Sequence, residues 1–307
     1  MLKVSGVDAA SRRAAALNSM PARLVLFFVV LAALDLACQV GGALLVRAAP
    51  PPLHDVARLS AALVLSVAMI LAYRRLIEAV EQRRPDELGT ATAARDLASG
   101  VATGIGLFAL VYAILWLLGA VRFRALMGTS GVAAAFAVAL ASAVGEEIVF
   151  RGVVFRLLQG RLGTGAALLL SAAAFALIHA GNRGATWVST LSVALESGVL
   201  LALAYAASRA LWLPIGLHFG WNFTEGGIFG AAVSGGRYTG VIAAPLSGPA
   251  LLTGGAFGPE ASIAALGVCV AASAFLAWRL IRAHAWHPAP WRRSGPRSTQ
   301  SSGLMRP

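Results

Sequence analysis

Stretches of about 20 apolar residues recur along this chain, and that recurrence constrains its fold more than any other feature. A bilayer core about 30 Å thick takes about 20 residues of helix to cross. Lipid offers the backbone no hydrogen-bond partners, so only helices or closed barrels span it. On that ruler eight segments stand out, at about 24–46, 57–73, 97–120, 133–158, 164–180, 187–207, 212–230 and 260–282. The second and fifth are short enough for tilted or partly embedded helices, so the count carries a margin of one. The expected fold class is all-α: a polytopic transmembrane helical bundle of about eight spans. The first segment is longer than the apolar core of a cleaved signal and carries Asp35 in its middle, so it is expected to stay as an anchor.

Composition agrees. Of 307 residues 58% are hydrophobic and only 12% charged, against about 25% charged in soluble domains. With a mean hydropathy of +0.77, a water-soluble globular protein is excluded. The 25 basic and 13 acidic residues leave a net charge of +12, which in a soluble chain would point to nucleic acid. Here the basic residues sort by side. With eight spans and a cytoplasmic N-terminus, 18 fall on the inner side, 6 on the outer, and Arg151 is left inside a span. That bias predicts both termini in the cytoplasm, a multi-pass location in a bacterial-type inner membrane, and no nucleic-acid partner. Cys38 and Cys269 lie within apolar runs and support neither a disulfide framework nor a cysteine zinc site.

The few charges inside the spans are the informative ones. Each Asp, Glu or Arg at the centre of a membrane helix costs about 2.5–3.5 kcal/mol on insertion scales, so such residues normally turn inward and carry a task. The fourth segment holds Glu146, Glu147 and Arg151. At about 100° per residue, Glu147 and Arg151 stand one turn apart on one face and can pair, while Glu146 points about 100° away. Glu146 is therefore the carboxylate without a local counter-charge, free to exchange protons. The competing reading is a structural ion pair with a spare carboxylate reaching for an interface, and this segment alone leaves the two balanced.

The fifth segment ends with Phe175 and His179 one turn apart; a lone histidine there reads first as a polar terminus. The seventh segment shifts the balance. Pro214 sits where a first helical turn tolerates it, His218 and Asn222 project from one face, and Glu225 extends the stripe. Of five histidines only His179 and His218 lie in apolar helices, and a third such helix carries Glu146. Together they predict an inward-facing polar site.

These three elements resemble the EExxxR, FxxxH and HxxxN motifs of the CPBP family of intramembrane proteases, which includes the type II CAAX prenyl endopeptidases and bacterial bacteriocin-immunity (Abi) proteins. All three match, in order, on separate helices, over about residues 135–230. The run Leu251 to Glu260 is similar, far less specifically, to the stretch before the last helix in bacterial members. On its own terms it reads as an outer loop in which Pro259 and Glu260 open the last helix. The resemblance implies an eight-helix fold around a cavity and a glutamate-activated water as nucleophile. By motif position Glu146 and His179 would activate the water, His218 and Asn222 would donate hydrogen bonds to the oxyanion, and Glu147 with Arg151 would hold the helix and tune the site. The expected catalytic set is thus Glu146, Glu147, His179, His218 and Asn222, supported by Arg151 and Phe175. No cofactor is expected; the partners are the bilayer and a membrane-associated peptide or protein substrate. The chain then divides into a polar tail (1–21), N-terminal transmembrane helices (22–130), the CPBP/Abi-like core (131–230), an outer loop with the last transmembrane helix (231–283) and a basic tail (284–307), both tails poorly ordered.

Three rival readings stand beside it. Glu146, His179 and His218 form a possible zinc ligand set with water in the fourth position, although no HExxH places two histidines on one turn. Gly128 to Gly131 spells the GxSG of rhomboid proteases, but in the reverse order relative to HxxxN, so Ser130 is expected to be a loop residue helping to cap the fourth helix. A transporter, channel or scaffold would use buried Glu and His to bind ions or relay protons, and Asp35 and Glu196 would fit its path, yet no internal repeat is evident. The remaining features read as connections and anchors. The loop from Arg74 to Asp96 is expected to be solvated and to touch headgroups, Pro50 to Pro52 to interrupt helix, and Trp286 and Trp291 to anchor at the interface.

Overall fold

The computed structural model describes residues 19–289, most of them helical. Ser19 accepts the Ala22 N–H and starts α1, Met20–Ala48. Pro50 to Pro52 cannot continue it, and the three-residue 3₁₀ turn Pro51–Leu53 reverses the chain into α2, His54–Leu76. Then come α3, Ala93–Leu117, and α4, Val132–Glu147. A π-helical stretch, Ile148–Phe155, carries α4 into α5, Arg156–His179. The pair α6, Trp187–Val193, and α7, Leu200–Ser208, is joined by a second π-helical stretch, Ala194–Val199. After α8, Trp212–Phe223, and the short α9, Ala250–Thr253, the last helix is α10, Ile263–Arg282.

Helix therefore occupies all eight apolar segments drawn from the sequence. By length and composition, six helical runs are long and apolar enough to cross a membrane. The six arise because α4 and α5 count as one run from Val132 to His179 and because α8 is short. That long run breaks at Gly163, where φ is +79°. The surface is as apolar as lipid contact demands: Leu117, Leu169, Leu177 and Trp187 are each at least 70% exposed.

Helices α3 and α8 touch backbone to backbone. Gly100 and Gly104 on α3 face Gly216 and Gly220 on α8, and a Cβ at any of the four would overlap a carbonyl oxygen across the interface. In a bilayer, where apolar burial alone gives helices no reason to associate, such small-residue stripes permit the close packing that holds them. His218 lies between the two glycines of α8, so this seam sets the position of its helix.

Several expectations need correction. The Arg74–Asp96 connection is not a merely solvated loop. The chain stays helical through Glu81, and the Glu87 carboxylate, 4% exposed, takes both ends of the Arg83 guanidinium at 2.7 and 2.9 Å and the Tyr73 hydroxyl. Arg156 in turn grips Glu81 with two bonds of 2.8 and 2.9 Å. Residues 284–289 are not a loose tail: the His287 carbonyl accepts the Thr164 N–H at 2.9 Å, and its N–H reaches the Thr164 hydroxyl at 3.0 Å. Trp286 packs on the core beside them. Trp291 and the outer parts of both tails lie outside the described residues. The cap of α4 is Gly131, with no side-chain bond, so Ser130 does not cap it.

Candidate active site

Three helices bring the predicted polar residues to one cavity of about 380 Å³, walled by α4, α5 and α8 and roofed by residues 182–183 and 233–238. Its lining includes Glu146, Phe175, His179, His218 and Asn222. Helical phase separates the two glutamates as expected. Glu147 is fully buried and binds Arg151 at 2.7 Å, one turn on, while the Glu146 side chain is 27% exposed and faces the cavity.

Each histidine is oriented by its far nitrogen. The Nδ1–H of His179 donates to the Phe175 carbonyl at 2.8 Å, and the Phe175 ring lies 4.6 Å from the imidazole between centroids. The Nδ1–H of His218 donates to Glu147 Oε1 at 2.9 Å. A carbonyl and a carboxylate only accept, so these bonds assign the Nδ1 proton and leave both Nε2 atoms for the cavity. They converge: His179 Nε2 and His218 Nε2 lie 3.8 and 4.0 Å from the same Glu146 oxygen, Oε2, which takes no hydrogen bond from the described residues.

Arg151 ties this arrangement to α6 and α7. It is fully buried in the π-helical stretch, donates to the Ser197 carbonyl as well as to Glu147, and lies 4.7 Å above the Phe175 ring. One guanidinium thus braces Glu147, which orients His218, and Phe175, which orients His179. The π-helical turns at 148–155 and 194–199 bring the donor and its carbonyl acceptor together; such turns interrupt helices frequently at functional sites.

Two neighbours had not been expected. Asn222 donates its amide to the Ser142 hydroxyl at 3.2 Å, and Ser142 lines the cavity one turn before Glu146. Its position four residues ahead of Glu146 was the available signal. Glu260 also lines the cavity, 5% exposed, with its carboxylate held by the Ser234 N–H at 2.7 Å and hydroxyl at 2.9 Å. It does not open the last helix: Pro259–Ala261 is a separate 3₁₀ turn, and Ser262 caps α10. No local pattern reveals this, because the turn is bent inward by contacts distant in sequence. Glu225, read as extending the stripe of His218 and Asn222, leaves it. Helix α8 turns π-helical at Thr224, and the buried Glu225 accepts the Glu260 N–H at 3.3 Å. Asp35 stands apart, bonded to Gln39 and abutting Gly145. Among the described residues, no group of three or more His, Cys, Asp or Glu is arranged to hold a metal ion.

Residues 128–224 match the family model described as type II CAAX prenyl endopeptidase Rce1-like. The matched stretch contains all three motifs, from Glu146 to Asn222, but not the less specific run Leu251 to Glu260. No curated protein and no solved structure matches the sequence.

Proposed function

With residues 128–224 matched to the Rce1-like type II CAAX prenyl endopeptidases as the premise, we propose that this chain is a multi-pass intramembrane endopeptidase that hydrolyses peptide bonds by a glutamate-activated water. The reading is carried by one observation: two imidazole Nε2 atoms, each oriented from behind, face one unbonded carboxylate oxygen of Glu146 at 3.8 and 4.0 Å. These distances exceed a hydrogen bond and suit a water held among the three groups.

In the proposed reaction Glu146 takes a proton from that water while His179 Nε2 orients it. The water oxygen bonds to the substrate carbonyl carbon, and the carbonyl electrons move onto its oxygen. Asn222 has two amide hydrogens; one is given to Ser142, and the other is available to the oxyanion. His218, with Nδ1–H bound to Glu147, donates from Nε2 when the ring is protonated. Such preorganised donors act where negative charge develops, and each is worth about 2.7–4 kcal/mol in comparable sites. The intermediate then collapses, the C–N bond breaks, and the proton on Glu146 passes to the departing amine. Glu147 and Arg151 act as positioning residues.

The test is cleavage of a membrane-associated peptide by wild type and by Glu146→Ala, His179→Ala, His218→Ala and Asn222→Ala, each checked for folding. Loss of cleavage in the folded variants is expected; wild-type rates in them would overturn the site. Activity retained after chelation separates this mechanism from a zinc-dependent one.

A further inference from the structure

We infer that Glu260 is a specificity residue of the catalytic cavity, and that its carboxylate receives a Lys or Arg side chain of the substrate close to the bond that is cut. The inference rests on the proposed protease reading for the word substrate, and on geometry and charge for the preference.

The cavity holds two carboxylates in different settings. Glu146 stands on α4 before the two histidine Nε2 atoms. Glu260 comes from the 3₁₀ turn ahead of α10 and is oriented by the roof. There Val233 and Gly236 pair across a two-residue turn, each N–H bonded to the other's carbonyl, at 3.0 and 2.8 Å. Within the turn, Ser234 has φ +47° and Gly235 φ +82°. A residue with a side chain seldom adopts that conformation, and here it aims both the Ser234 N–H and hydroxyl at Glu260 Oε1, at 2.7 and 2.9 Å. The Gly235 N–H bonds the Phe257 carbonyl at 2.7 Å, and a Cβ on Gly235 would overlap the Arg183 carbonyl oxygen. The carboxylate is thus held in a fixed place by a closely packed roof. Both donors go to Oε1; among the described residues no amide, hydroxyl or basic group bonds Oε2.

No permanent positive charge compensates it. Glu196 and Glu225, 2% and 0% exposed, are close enough to repel Glu260. Glu196 Oε1 and Glu225 Oε2 are buried without a hydrogen bond from the described residues. No described Lys or Arg forms an ion pair with any of the three. Arg151 is taken by Glu147, and Arg183 in the roof is exposed and pairs with none of them. Carboxylates withdrawn from water without a counter-charge are costly, and two that share a proton still carry one negative charge. Of the three only Glu260 lines the catalytic cavity, so a cation entering there reaches the group through it.

A peptide side chain fits that vacancy of charge. Lys and Arg lay an aliphatic stem along apolar surface and extend a charged head; Val193 and Val233 line the same cavity and suit the stem. Extended peptide advances about 3.3–3.6 Å per residue. In a cavity of about 380 Å³ the cation therefore belongs to a residue next to the cleaved bond or next but one.

The test separates binding from cleavage. The full chain carrying Glu146→Gln, in which the other cavity carboxylate is neutral, is titrated with fluorescent membrane-associated peptides. Paired peptides differ only in having Lys or uncharged norleucine at one of successive positions. Lys is expected to bind about tenfold or more tightly than its norleucine twin at one or two adjacent positions, as for a hydrogen bond to a charged group. Adding Glu260→Gln, which keeps an acceptor for both Ser234 donors, is expected to bring the twins within about twofold of each other. In the chain with Glu146 intact, the Lys-to-norleucine ratio of kcat/KM is expected to fall likewise on Glu260→Gln. Ser234→Ala, which keeps the charge and loosens its position, is expected to lower the ratio without abolishing it. Equal affinity of the twins at every position overturns the inference with no Glu260 variant needed. So does a Lys preference that survives Glu260→Gln, or a Glu260→Gln effect that weakens both twins alike, as a purely structural role would. A Lys preference that depends on Glu260 in a chain that cleaves none of the peptides refutes the protease reading and not the cation subsite.

Discussion

His218 and Glu147 are joined by a 2.9 Å hydrogen bond from Nδ1–H to Oε1, and that same Oε1 accepts the Arg151 guanidinium at 2.7 Å. One buried carboxylate oxygen thus orients a cavity histidine and compensates a cation that has no exposure at all. Adjacent glutamates consequently differ in kind: Glu146 faces the cavity, and Glu147 holds the scaffold.

That division predicts different phenotypes. Glu146→Gln is expected to abolish cleavage with little change in thermal unfolding, because its Oε2 has no hydrogen bond to lose. Glu147→Gln keeps the shape but leaves Arg151 buried without its counter-charge, which costs about 3–5 kcal/mol. Thermal unfolding in detergent beside the cleavage assay checks both; equal melting temperatures for the two variants would contradict the division.

Asn222 and Ser142 form a second pair of unequal members. Asn222→Ala removes a proposed oxyanion donor and is expected to lower kcat by about 10²–10³-fold with little effect on KM. Ser142→Ala removes only the acceptor that orients the amide, a contribution of about 1 kcal/mol or roughly fivefold in rate. Steady-state kinetics on a membrane-associated peptide measure both, and a Ser142→Ala loss as large as that of Asn222→Ala would show that Ser142 does more than orient.

The α3–α8 seam predicts that Gly104→Ala fails structurally. Its Cβ would overlap the Leu217 carbonyl oxygen, a backbone atom that cannot swing aside. Forced overpacking costs about 1–3 kcal/mol or more, and His218 moves with its helix. Reduced thermal stability together with reduced cleavage is expected, whereas Gly106→Ala, on the same helix with open space around it, is expected to change neither.

In the connection between α2 and α3, burial alone would raise the Glu87 carboxyl, but the hydrogen bonds from Arg83 and Tyr73 hold it below its ordinary value of 4.5. A carboxyl depressed in the folded state contributes stability that is present above its unfolded value and is lost as pH falls through its folded one. Melting temperature of the wild type is therefore expected to drop as pH is lowered below about 4.5. Glu87→Gln is expected to be less stable at neutral pH and to show a shallower acid drop. Parallel pH curves for the two proteins would exclude Glu87 as a source of the acid sensitivity.

The sequence by itself determined the elements and the face of each that matters. Periodic apolar length sets helices in all eight segments because a 30 Å hydrocarbon core requires about 20 residues each. The 3.6-residue turn places Arg151 beside Glu147 and Asn222 beside His218 before any tertiary contact forms. Tertiary structure decided which faces meet and what closes over them. The π-helical turns rotate Glu225 out of the stripe that straight-helix phase assigned it. Glu260 enters the cavity through a 3₁₀ turn held by Ser234, 26 positions away in sequence. Glu81 and Thr164 find partners across the bundle, turning an expected loop and part of an expected tail into packed structure. Local spacing fixes direction along a helix, whereas a carboxylate's burial depends on which distant backbone N–H or guanidinium reaches it.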